Sequence, residues 1–149
     1  MKQEDKELLC RDLCGRLPYG VKILAKYVDG IDAKEGKGRL ALIDSDLVIA
    51  FIDEIEDNNS FTYVVLHEVK PYLFPMSSMT EEQEEELKNI YYSFNGMFNY
   101  TERIFDKVPF KEMKYFPYQI EEFFNKNHFD YRELIPKGLA IDATNLNIY

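Results

Sequence analysis

The chain changes its hydrophobic period at residue 20, at the start of the segment Gly20–Leu66: GVKILAKYVDGIDAKEGKGRLALIDSDLVIAFIDEIEDNNSFTYVVL. Its first part, Val21–Tyr27, places an apolar side chain at every second position, which is typical of a strand with one buried face. Three more candidate strands follow, at Arg39–Ile43, Leu47–Ile52 and Phe61–Val65. Because polar turns join these short strands, the pattern predicts a four- or five-stranded antiparallel β-meander that is partly curled.

Polar stretches between the candidate strands are predicted to be turns and loops. Gly36–Gly38 is interpreted as a loop, and Asp44-Ser45-Asp46 as the turn of a hairpin. The two aspartates could also bind a divalent cation through their oxygens. A calcium loop needs further ligands at defined spacing, and none follow, so the turn is favoured.

A helix is predicted before the sheet, over residues 4–17. Leu9, Leu13 and Leu17 recur every four residues, with Cys10 and Cys14 beside them, which indicates one apolar stripe. The two cysteines are spaced for packing on a helix face rather than for a redox pair, which needs two intervening residues.

Past the sheet, Lys70–Pro75 carries two prolines and is predicted to leave regular pairing and to connect the sheet to the next helix. That helix is predicted to begin at Thr80, with Gln83 completing a capping box, and to end at Asn95-Gly96. Residues 97–116 are ambiguous, because aromatic side chains alternate there with lysines and a proline interrupts any helical period.

The C-terminal third is predicted to hold a helix that begins at Pro117, with Ile120, Phe123 and Phe124 on its apolar face, and that stops at Asn127. Asp130 and Glu133 are predicted to cap a short helix through residues 134–135, followed by a short strand at 139–141. The whole of 1–149 is therefore predicted to be a single α+β domain, with an N-terminal helix, an antiparallel meander, and two or three C-terminal helices packed on one face.

The composition restricts the classes of partner. The 149 residues carry a formal net charge of −9, so the chain repels phosphate backbones and nucleic acid is an unfavoured partner. The longest apolar run, Leu47–Ile52, is far too short to cross a bilayer, and the charged start does not resemble a signal peptide, so a cytoplasmic protein is predicted. The 11 Phe and 11 Tyr exceed the needs of a core of this size, which favours an unknown protein partner.

Two histidines are the candidates for chemistry. His67 precedes Glu68, and His128 lies two residues before Asp130, so His67, His128 and Asp130 form a speculative polar site for acid–base or metal chemistry. The alternative, which we favour, is that a histidine at a helix junction packs or caps. The chain has neither a phosphate-binding glycine loop nor a nucleophile elbow, so no catalytic residue, metal or cofactor is predicted.

A second candidate surface lies in the ambiguous segment, where cations and rings are interleaved. Its members are Lys107, Phe110, Lys111, Lys114, Tyr115 and Phe116. Aromatic side chains among lysines can stack on the bases of single-stranded nucleic acid. The acidic chain and the neighbouring Asp106 and Glu112 argue against that partner.

Three stretches together carry a resemblance to a known family: Leu9–Val21, Lys70–Glu82 and Asn127–Ala140. They resemble a family of small uncharacterised proteins of gut Bacteroidetes, often associated with prophages or mobile elements. Members of that family have Gly at the position of Glu133 and an acidic residue at the position of Pro136. The resemblance implies a mobile-element setting and carries no catalytic motif to transfer.

These observations favour a non-enzymatic protein-interaction module of mobile-element or prophage origin. Two alternatives stay open. The first is weak nucleic-acid binding through the 107–116 segment, and the second is a small metal-dependent or hydrolytic enzyme that uses the histidines and nearby carboxylates. The sequence leaves the oligomeric state open.

Overall fold

A computed structural model describes residues 1–44, 46–53, 61–96 and 118–149 of the chain. These residues form three α-helices and six strands, in the order α1 (Gln3–Arg16), β1 (Lys22–Asp29), β2 (Asp32–Asp44), β3 (Leu47–Ile52), β4 (Phe61–Val65), β5 (Val69–Leu73), α2 (Glu81–Gly96), α3 (Tyr118–Lys126) and β6 (Ile141–Asp142). The predicted α+β class is confirmed, with a helix first, a largely antiparallel sheet next, and helices after it.

The six strands form one sheet in the order β4-β3-β2-β1-β5-β6. From β1 to β4 each strand pairs antiparallel with the next one along the chain, which confirms the predicted meander. On the other side of β1, β5 pairs antiparallel with it, and the short β6 then pairs parallel with β5. A short strand is predicted at residues 139–141, and β6 shares residue 141 with it but begins two residues later.

The loop predicted at Gly36–Gly38 is wrong, because β2 runs straight through these residues. Gly38 lies opposite Ile23 of β1 and Ile52 of β3, on the buried side of the sheet. A Cβ atom at this position would come within 2.1 Å of the Phe51 carbonyl oxygen. The glycine therefore permits a close approach of β3, a role that the sequence does not distinguish from a loop.

The connector predicted at Lys70–Pro75 is also wrong in its first part, because Val69–Leu73 is strand β5. Pro71 lies opposite Ile23 of β1, while the pairing with β6 begins only at Tyr72. At Pro71 the edge of β5 that faces away from β1 therefore has no paired strand residue among the described ranges. The N–H donor that proline lacks is tolerated at such an edge.

The first helix packs across the inner face of the sheet, but its buried stripe differs from the prediction. Leu9 and Leu13 are fully buried, as predicted, whereas Cys14 is exposed and Cys10 only partly buried. Asp12 and Arg16 are buried instead. Compared with the predicted orientation, the helix is rotated about its axis, so that two charged side chains face the protein interior in place of the two cysteines.

Helices α2 and α3 form a second apolar cluster together with residues from the connecting segments: Leu87, Tyr91, Ile120, Phe123, Phe124 and Phe129. The capping box of α2 is confirmed, since the Thr80 N–H donates to Gln83 Oε1 (3.0 Å) and the Gln83 N–H donates to Thr80 Oγ1 (3.3 Å). The predicted ends of α2 at Gly96 and of α3 before Asn127 are confirmed as well.

The short helix predicted at residues 130–135 is wrong, although its capping residue is right. The Asp130 carboxylate accepts hydrogen bonds from the N–H groups of Leu134 (2.7 Å) and Ile135 (2.8 Å), and the segment forms turns. Glu133 lies between these residues with a φ of 58°. A left-handed residue cannot continue a right-handed helix, so the segment turns toward β6 instead.

Candidate functional site

His67 is a surface residue in the single turn Leu66–Glu68 that joins β4 to β5. Its Nε2 atom lies 3.6 Å from Glu68 Oε1, and both side chains are substantially exposed. Glu68 also lies 3.8 Å from Lys26 Nζ. These are solvated polar side chains on the protein surface, and exposed ion pairs such as Lys26–Glu68 contribute little to stability.

His128, in contrast, is buried immediately after α3, where its backbone has a φ of 57°. Its ring stacks on the ring of Tyr149, with 4.1 Å between centroids and 14° between planes. Burial, and then the positive charge of Arg16, lower the pKa of His128 to about 4, so the imidazole is neutral at pH 7. Its Nδ1 atom has no hydrogen-bond partner among the described residues. The ring serves as a packing element.

The two histidines lie at opposite ends of β5. His67 precedes the strand, whereas the carbonyl of His128 accepts a hydrogen bond from the N–H of Phe74, just after the strand. Five strand residues separate backbone positions by about 17 Å. Of the three residues of the speculative polar site, the structure brings His128 and Asp130 into one region and places His67 elsewhere.

Asp130 uses both of its carboxylate oxygens for the backbone N–H groups of residues 134 and 135. Burial raises its pKa, while these two hydrogen bonds act in the opposite direction. The side chain organises the turn that leads to β6, and that role occupies both of its acceptor oxygens.

A buried ion pair that the sequence analysis missed lies beside these residues. Arg16 Nε donates to Asp12 Oδ2 (2.7 Å) and Arg16 Nη2 donates to Asp12 Oδ1 (3.0 Å), and both side chains are fully buried. The same guanidinium donates to the backbone carbonyls of Phe129 (2.7 Å) and Phe124 (3.4 Å). Arg16 therefore fastens α1 to the end of α3 and to the segment after it.

Arg132 extends this pair toward the surface. Its Nη1 atom lies 3.3 Å from Asp12 Oδ1 and its Nη2 atom 3.8 Å from Glu121. Its guanidinium also lies 4.5 Å from the centre of the Tyr131 ring. Burial raises the pKa of Tyr131 to about 12. The groups of this cluster are engaged with one another and with backbone carbonyls, an arrangement that fixes elements in place and leaves a substrate little to bind.

Within the described ranges, no three potential metal ligands of the His, Cys, Asp and Glu types come together. The described helices also lack the combination of length and apolar surface that crossing a membrane requires. The predicted patch of Lys107, Phe110, Lys111, Lys114, Tyr115 and Phe116 lies outside the described residues, so it stays a prediction.

A groove separates α2 from α3. Its lining includes the glutamates Glu82, Glu85, Glu86 and Glu122 and the apolar residues Ile90 and Phe123. The glutamates of α2 are exposed, which is the ordinary state of charged side chains on the outer side of a helix.

The most distinctive surface is the outer side of β2, β3 and β4, opposite the side that α1 covers. We call it the exposed sheet face. The strand register arranges its nine residues in three rows, which are Phe61–Phe51–Arg39, Tyr63–Ile49–Leu42 and Val65–Leu47–Asp44. A bulge between Leu40 and Leu42 brings Leu42 and Asp44 onto the same side as Arg39.

Seven of these nine residues are apolar, and five of them are strongly exposed: Leu42 46%, Leu47 40%, Phe61 51%, Tyr63 58% and Val65 45%. Their strand neighbours Val48, Ala50 and Val64 are buried on the inner side. These strands are therefore apolar on both sides, whereas an antiparallel sheet with one covered side normally presents polar residues on the other.

The rings of this face contact one another and one cation. Phe61 and Tyr63 pack edge to face, with 5.7 Å between centroids and 86° between planes. The Arg39 guanidinium lies 4.4 Å from the centre of the Phe51 ring. The surplus of aromatic residues noted in the sequence is thus partly present here, at strand positions that no functional motif marked.

Comparisons with protein-family models, with curated proteins and with solved structures found no match for this chain.

Proposed function

We propose that this chain is a protein-interaction module that binds its partner through the exposed sheet face. The observation that carries the proposal is the block of five apolar side chains that are 40–58% exposed on one side of three adjacent strands. Taking about 170 Å² for each fully exposed side chain, they offer about 400 Å² of apolar surface. Contiguous apolar patches of this size on a monomer are often functional.

The chemistry of the face fits binding rather than proton transfer. Phe, Tyr, Leu and Val bury area at a low cost in side-chain entropy, and aromatic residues are enriched in interfaces. The resemblance of the segments Leu9–Val21, Lys70–Glu82 and Asn127–Ala140 to proteins of prophages and mobile elements supports the further proposal that the partner is met in the cytoplasm, in a mobile-element setting.

The two alternatives gain less support. Nucleic-acid binding through residues 107–116 concerns a segment outside the described ranges. A small metal-dependent or hydrolytic enzyme would draw on His67 and His128, which lie at opposite ends of β5. Asp130, the carboxylate nearest in sequence to His128, is engaged by two backbone N–H groups.

Affinity capture with a matched pair of variants tests the proposal. Tyr63→Asp introduces a charge into the middle row of the exposed sheet face, whereas Tyr118→Asp makes the same change at a tyrosine of α3 that is 70% exposed. We expect the wild-type chain and Tyr118→Asp to retain the same partner protein, a further copy of this chain included, and Tyr63→Asp to lose it. Equal retention by all three folded proteins would refute binding through this face.

A further inference from the structure

We infer that the partner on the exposed sheet face is a second copy of this chain, packed face to face about a two-fold axis. The inference rests on the proposed function and adds the identity of the partner. The two-fold axis lies midway between the two sheets and runs perpendicular to the strands. It passes over the row Tyr63–Ile49–Leu42. Each strand then lies antiparallel over the same strand of the second copy, with sheets about 10 Å apart as in a β-sandwich.

This arrangement makes the face complementary to itself. The row Phe61–Phe51–Arg39 of one copy covers the row Val65–Leu47–Asp44 of the other, and the middle row meets its own counterpart. Large rings are thereby placed over smaller aliphatic side chains at both ends of the interface. An isologous contact of this kind closes at two copies, as most homo-oligomers do.

Charge supports the same partner. Arg39 and Asp44 are the two formally charged residues of the nine, and they occupy opposite ends of the β2 edge of the face. In the proposed dimer the Arg39 of each copy faces the Asp44 of the other, which gives two opposite-charge pairs at the border. The face is electrically neutral on a chain whose net charge is −9, so two copies can meet there without placing like charges in contact.

The area corresponds to a weak, reversible dimer. About 400 Å² of apolar surface from each copy gives about 800 Å² in total, and the partly exposed Ile49, Phe51 and border residues add to it. Specific interfaces begin at about 1,200 Å² of total buried surface. The apolar area of the proposed contact lies below that value, which corresponds to a weak association that depends on concentration.

Light scattering on a sizing column tests the dimer, with the full chain injected at about 10 to about 300 µM to follow mass action. We expect the mass to rise toward twice 17.6 kDa for the wild-type chain and for Tyr118→Asp. Tyr63→Asp and Leu42→Asp should stay at the monomer mass. All these positions are exposed, and circular dichroism checks that each variant is folded.

A charge exchange tests the orientation. Arg39→Asp or Asp44→Arg alone creates two like-charged pairs in the dimer and should weaken association about tenfold. The double variant Arg39→Asp/Asp44→Arg restores both pairs with reversed signs and should return to within about threefold of the wild-type affinity. Failure of the double variant to recover would overturn the face-to-face arrangement.

Three further outcomes distinguish failure of the inference from failure of the proposed function. If the wild-type chain stays monomeric at about 300 µM while Tyr63→Asp still loses a captured protein, the second copy is refuted and the interaction module stands. If Tyr63→Asp dissociates the dimer but Leu42→Asp does not, the copies join edge to edge along β4, and the face-to-face contact is refuted. If neither the mass nor the capture depends on Tyr63, both proposals fail.

Discussion

Replacing Arg16 by methionine is expected to destabilise the protein severely. The substitution keeps a long, flexible and apolar stem in the interior while it removes the guanidinium. That group donates two hydrogen bonds to Asp12 and two to the backbone carbonyls of Phe124 and Phe129. All four are lost together, and the two to backbone carbonyls link α1 to residues more than 100 positions away along the chain.

The size of the loss in stability follows from the Asp12 carboxylate that remains buried. The Asp12 carboxylate is fully buried, and among the described residues it would retain Arg132, at 3.3 Å, as its one side-chain hydrogen-bond partner. Removing one member of a buried ion pair costs about 3–5 kcal/mol, because the remaining charge stays desolvated. For a domain of this size, a loss of 3–5 kcal/mol corresponds to a melting temperature lower by about 10 °C or more.

Urea titration monitored by circular dichroism measures this loss. Arg11→Met is the matched control, since Arg11 lies on the same helix with its side chain exposed, and it should change the free energy of unfolding by at most about 0.5 kcal/mol. In the double variant Asp12→Leu/Arg16→Met the loss should be smaller than the sum of the two single losses, because no uncompensated charge is left at Asp12. A loss below about 1 kcal/mol for Arg16→Met would refute this account of the buried pair.

Two further predictions concern the residues with left-handed backbones. His128 has a pKa of about 4 in the folded protein, below its ordinary value of 6.5. As the pH falls, the unfolded chain therefore takes up a proton at this residue before the folded chain does. The free energy of unfolding should fall by up to about 3 kcal/mol between about pH 6.5 and about pH 4. His128→Asn should flatten this part of the profile in urea titrations at several pH values, and the exposed-site control His67→Asn should not; an unchanged slope in His128→Asn would contradict the assignment. Glu133→Gly should stabilise the protein by about 0.5–1 kcal/mol, because glycine adopts a φ of 58° without strain, whereas Glu133→Ala keeps its Cβ and should gain nothing. Equal unfolding midpoints for these two variants would argue against backbone strain at this position.

Elements whose signals are local could be predicted from the sequence. The alternation in Val21–Tyr27 and the polar turns after it specify β1, β3 and β4, because strand and turn chemistry are both contained in a few adjacent residues. The start of α2 is equally local, since Thr80 and Gln83 satisfy each other's backbone N–H groups three residues apart. Gly38 shows the limit of such signals, because the same missing side chain suits a loop and a close strand contact.

The polar interior could not be predicted, because its partners are distant in sequence. Asp12 and Arg16 have the i, i+4 spacing that is typical of solvated pairs on helix surfaces. What buries them is the approach of α3 and of the segment after it, through the carbonyls of Phe124 and Phe129, 108 and 113 residues away. Nothing adjacent to residue 16 marks this contact.

For the exposed sheet face, the strands and the surplus of aromatic residues could be predicted, but their orientation could not. A strand such as Phe61–Val65 has apolar side chains on both sides, so its pattern does not say which side meets the core. The structure resolves this, because Val64 is buried toward α1 while Phe61, Tyr63 and Val65 point outward.

The distribution of contacts within the fold explains why the outward side chains favour a binding role. The inner side of the sheet is already covered by other elements of the chain, since Leu9 and Leu13 of α1 and Leu134 of the later segment are fully buried against it. Arg16 holds that cover in place from within. The exposed residues of β4 therefore add little to the burial that stabilises the monomer, and on an acidic protein polar residues at these positions would improve solubility. Covering these apolar side chains with another surface lowers the free energy, which is the physical basis for proposing an interaction through this face.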